Sequence, residues 1–171
     1  MTRLIIVFLI LSAYASAASA AEEWGIEHEK IARFEAKVVD IACELTGDCP
    51  ANCGNGRRQL GLLQGDGRLL LVAKNQDIFA GGASDLLPFC GKQIIADGLL
   101  IENPTMPLFA LQFKRLAPDG KWSRANWFTR DWSKNNPGLD ADQWFRHDKV
   151  IKKTIAAGGV YGIPGLKPDD D

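Results

Sequence analysis

Four cysteines, Cys43, Cys49, Cys53 and Cys90, constrain this chain more than any other feature. What they can do depends on the compartment, and residues 1–20 speak to that. Met1-Thr2-Arg3 supplies a positive start, Leu4 to Leu11 is an unbroken apolar run, and Ala15 to Ala21 are small residues. That pattern reads as an export signal, cleaved after Ala20 or, as second choice, after Ala17. The apolar run is too short to span hydrocarbon, and no cysteine adjoins the cleavage region to take a lipid. Removing residues 1–20 leaves 151 residues with a net charge of −2. The expected location is periplasmic or secreted. An even number of cysteines in an exported chain reads first as two disulfides, with three connectivities open.

The alternatives are a thiol-redox site or a Cu(I) site at Cys49 and Cys53, with Cys43 nearby. Cys49-Pro50-Ala51-Asn52-Cys53 is spaced C-x-x-x-C, unlike the C-x-x-C of thioredoxin-like oxidoreductases. No histidine follows Cys53, so covalent haem attachment has no motif, and structural zinc wants paired spacings that are missing here. Two or three thiolates suffice for Cu(I). The expected pairing instead joins Cys90 to one of Cys43, Cys49 and Cys53, giving one long-range and one local bridge. The stretch from Gly47 to Gly56 is too rich in Gly, Asn and Asp to order itself by apolar burial and needs a tether.

With 171 residues, 46% of them hydrophobic and 24% charged, the chain has enough apolar content for one core. That excludes disorder as the main state. A pI near 6.1 argues against nucleic acid as a partner. The one apolar run lies in the leader, so no membrane span is expected after cleavage.

Periodicity divides residues 21–161 into one globular domain. Ile31, Phe34, Val38, Ile41 and Leu45 recur at three- and four-residue spacing, which predicts a helix over 22–46. Two β-prone runs around Gln64-Gly65-Asp66-Gly67 predict a hairpin over 58–73. A short helix from Ser84 to Cys90 follows, then a strand from Gln93 to Ile101 bent at Gly98. Leu108 to Leu116 and Trp122 to Thr129 read as two more strands about Pro118-Asp119-Gly120. Asp140 and Gln143 open a last helix over 140–157, and residues 162–171 read as a flexible tail.

Hairpin, short helix, Gly91-Lys92-Gln93-Ile94-Ile95-Ala96-Asp97-Gly98-Leu99 and two further strands together resemble a small barrel of the OB-fold kind, over residues 57–130. The fold class expected is α+β: an OB-like, strongly bent, mainly antiparallel sheet or small barrel, flanked by an N-terminal and a C-terminal helix. The resemblance implies binding of an oligomeric ligand or an accessory role, and fold alone does not choose between them.

Aromatic and basic residues mix in the last third. Trp122, Trp127 and Trp132, with Arg124 and Arg130, are candidates for a ligand surface that could stack glycans; the favoured reading is that Trp144 and its neighbours pack the last helix on the sheet. Residues 21–48 hold three basic and eight acidic groups, and residues 114–153 ten basic and five acidic. Arg57-Arg58 could hold an anion, though without a phosphate-loop motif. His28 and His147 read as surface positions. No nucleophile–base order or carboxylate pair stands out, so no catalytic or cofactor residue is assigned. The reading is a non-catalytic, disulfide-stapled binding or accessory module whose partner is another periplasmic protein or a small ligand.

Overall fold

The computed structural model describes residues 21–25, 27–73, 82–103, 106–159, 163 and 165–166. The expected leader and most of the expected tail lie outside them. Strands β1 (Glu29–Asp40), β2 (Leu60–Gln64), β3 (Leu69–Ala73), β4 (Gln93–Ile101) and β5 (Leu108–Leu116) make a closed mixed barrel. All neighbours pair antiparallel except β3 and β5, whose parallel pairing closes the ring. Helix α1 (Ile41–Thr46) follows β1, and α2 (Gly82–Leu86) lies between β3 and β4. Beyond the barrel come the two-residue strand β6 (Ser123–Arg124) and helices α3 (Trp127–Asn135), α4 (Trp144–His147) and α5 (Lys149–Gly158).

The helix expected over 22–46 is not formed; most of that stretch is β1. Ala32-Arg33-Phe34-Glu35-Ala36-Lys37-Val38 alternates apolar with charged, the period of a half-buried strand. Ala36 and Val38 are core, with Ala32 and Phe34 packed against them, and the charged residues face out. Phe34 and Val38 share a face at either period, which is why the helical reading looked consistent. Ile31 and Leu45, which only a helix would bury, are 50% and 71% exposed. With β1 as the first strand, α2 falls between the third and fourth strands of five. The OB-like region thus runs from residue 29 to 116, beginning well before residue 57.

Two further expectations are corrected. Trp122 to Thr129 holds only the short β6 before turning helical at Trp127. The last helix is broken: Ala141–Gln143 is a 3-10 turn, α4 ends at His147, and Asp148 caps a separate α5 through Val150 N and Ile151 N, both at 2.8 Å.

Inside the ring, Leu60, Leu62, Leu70, Val72, Ile94, Leu100 and Leu111 surround Phe34 and Phe109, whose rings meet edge-on at 4.8 Å. The barrel is a packed core of the kind small barrels form. Lys30 and Arg68 reach Glu102 at one end, and the 2.6 Å hydrogen bond from Lys30 is the chief reason the Glu102 carboxyl sits below its usual pKa.

The β4–β5 pairing slips at Asp97/Gly98: Asp97 faces Phe113 and Gly98 faces Leu111, so Gln112 is an extra residue in β5. A Cβ on Gly98 would run into the Ala110 carbonyl oxygen and come 3.0 Å from the Phe109 ring. Gly98→Ala should therefore destabilise by roughly 1–3 kcal/mol, as overpacking does. Urea unfolding measures it, and an unchanged midpoint would mean the strands do not approach so closely there.

Candidate binding surface

The β1–β2 connection carries three of the four cysteines. Asp40 ends β1 and caps α1, its Oδ1 accepting from Ala42 N at 2.9 Å and Cys43 N at 3.3 Å. Cys43 bonds to Cys49, six residues on, and Cys53 bonds to Cys90 across 37 residues. One bridge is local and one long-range, with Cys90 joined to a member of the upstream trio. Cys49 and Cys53 belong to different bridges, so the C-x-x-x-C pair is not itself a disulfide. A thiolate set at Cys43, Cys49 and Cys53 exists only once both bridges are reduced.

Between them the chain makes a left-handed turn. Asn52, Cys53 and Asn55 hold φ of 50°, 48° and 51°, a region costly for side chains other than Asn and Gly. Cys53 is buried there, and its bond to Cys90 ties the turn to the segment before β4. Arg58 does not stand ready for an anion. Its guanidinium donates to Asp48 at 2.5 Å and lies 3.9 Å from Asp40; the Asp48 bond is the first cause of its raised pKa.

The aromatic and basic residues singled out from sequence do not form one surface. Trp122 lies over the outer face of the barrel, with the Arg33 and Arg115 guanidiniums 4.9 and 4.8 Å from its ring centre. Arg124 stacks on Phe113 at 5.3 Å on the same face. Trp127 sits elsewhere, with Lys114 Nζ 4.2 Å and Arg130 5.6 Å from its ring and Phe89 beside it. Trp132 meets His147 on the helices beyond, and Phe128 packs edge-on against Trp144. All the named tryptophans are partly buried.

Sequence reading missed Arg33, Asp97, Gln112, Phe113, Lys114 and Arg115, and the β5 bulge explains most of that. Lys114 pairs with Ala96, a core residue, and so points inward. It is fully buried and donates to Asp85 Oδ1 at 2.9 Å and to the Arg124 carbonyl at 3.2 Å. Asp85 Oδ1 also accepts from Trp127 N at 3.2 Å, so this ion pair joins β5, α2 and the start of α3. On the outside, Asp97 is buried beneath its ion pair with Arg33. Gln112, the extra residue, takes Glu22 N at 3.0 Å and donates to Glu22 O at 2.6 Å, clamping the first described segment to the sheet. Glu29 accepts from Trp24 N and Gly25 N to hold its other end.

Two outcomes follow. Lys114→Met should cost about 3–5 kcal/mol by removing the cation bonded to Asp85 Oδ1 in the core, and Asp85→Asn in the same chain should recover much of that. Denaturant unfolding of the two variants tests it, and equal losses would deny the coupling. Removing Cys53–Cys90 by paired Ser substitutions should cost about 4 kcal/mol, and removing Cys43–Cys49 about 2 kcal/mol, from the loop each closes. The reverse order in thermal melts would assign the staple to the wrong bridge. No family model, curated protein or solved structure matches this chain.

Proposed function

We propose that this chain is an exported, non-catalytic binding or accessory module that presents the outside of a stapled barrel to a partner. The observation that carries this reading is the oxidised state of all four cysteines, with Cys53–Cys90 holding an irregular loop to the barrel. Disulfides persist in oxidising compartments, and the leader-like residues 1–20 supply a route there. Among the described residues, no helix is long and apolar enough to cross a membrane. The barrel interior is filled with side chains, which leaves recognition to the outer faces and loops.

Two measurements test this. N-terminal sequencing of the exported protein should find Ala21, or Ala18, at the start; an intact Met1 would sink the export reading. Thiol titration of the denatured, unreduced protein should find no free thiol. Two or more reactive thiols would move the assignment to a redox or Cu(I)-handling protein.

A further inference from the structure

We propose that the outer face centred on β4 docks an acidic segment of a protein partner, with Arg115 and Arg124 as its cationic contacts. The proposal rests on the binding-module reading and adds the chemistry of the partner. In the ring β4 is flanked by β1 and β5, so this face lies across the barrel from β2 and β3. Arg33, Asp97 and Phe113 form one row across it, and Glu35, Ile95 and Arg115 the next. Arg33 is committed to Asp97. Among the described residues Arg115 and Arg124 have no ion-pair partner; Asp97, one strand and one row from Arg115, is bonded to Arg33, and Glu35 stands two strands away.

The rings hold these cations ready. Trp122 carries two guanidiniums and Phe113 a third, and a stacked guanidinium loses less freedom when it binds than a free one. The Arg115 Nε is buried with no acceptor, which leaves the outer nitrogens of its guanidinium to meet a bound carboxylate. A peptide is favoured over an acidic glycan for two reasons. Trp122 already spends its ring on guanidiniums rather than offering it to a sugar. And Gln112, beside Phe113, already clamps the main chain of a segment in which Glu22 and Glu23 are exposed.

The test is titration of the full mature protein with a fluorescein-labelled deca-glutamate peptide at low salt, alongside oligogalacturonate. The peptide should bind, and Arg124→Gln and Arg115→Gln should each weaken it about tenfold, the worth of one charge-assisted hydrogen bond. Lys152→Gln with Lys153→Gln, on the basic α5, should bind like the unmutated protein. Arg124 is exposed, so its variant carries the test even if Arg115→Gln fails to fold by circular dichroism. Absent peptide binding, Arg124→Gln binding as the unmutated protein does, equal loss in the α5 variant, or tighter binding of oligogalacturonate would each overturn the proposal. A protein exported without free thiols that binds no peptide defeats the docking surface alone; a retained leader or free thiols defeats the module reading beneath it.

Discussion

One inserted residue in β5 organises both sides of the barrel wall. Before Gln112, Phe109 and Leu111 point in and Ala110 points out; after it the parity reverses. Lys114 then enters the base of the barrel, where its ammonium meets Asp85 and the Trp127 ring. Phe113 and Arg115 turn outward to the face where Arg33, Asp97 and Trp122 gather. Gln112 itself has no cross-strand partner in β4, and its amide is spent on the main chain of Glu22. Interior ion pair, exterior guanidinium stack and N-terminal clamp therefore share one cause. A buried pair is weak as a source of net stability but severe when half of it is lost, so the bulge and the polar base support one another.

Much of the barrel was legible because β2 to β5 are short, largely apolar runs and the turn between β2 and β3 carries Gly and Asp. The β2–β3 hairpin and the short helix before β4 came from local chemistry alone. β1 was misread because Ala, Glu, Lys and Arg suit helices, and because Phe34 and Val38 satisfy both periods. Only partner strands decide between the periods, and β1 has two of them, β2 and β4. The error also hid the topology, since the helix takes its OB-like place only when β1 is counted.

The site was less legible than the fold. That Cys90 bonds to one of the three upstream cysteines followed from which segments needed a tether, a question that composition can answer; which of the three it takes did not. The grouping of Arg33, Arg115, Arg124 and Trp122 could not be read, because it requires the register of three strands and the position of a bulge. Trp122, Trp127 and Trp132 looked like one cluster through nearness in sequence. The turn into α3 at Trp127 carries the last two away from the first.

The disulfides have a consequence for biogenesis. Each cysteine is bonded to the next one along the chain: the first to the second, the third to the fourth. On the export reading, the thiols emerge in that order when the chain is threaded through a membrane N-terminus first. An oxidase that joins each newly arrived thiol to the one waiting beside it would make both native bonds directly, with no wrong pair to unpick. The barrel can then close around a loop that is already tied, and this chain should have little need of an isomerase on its way to the folded state.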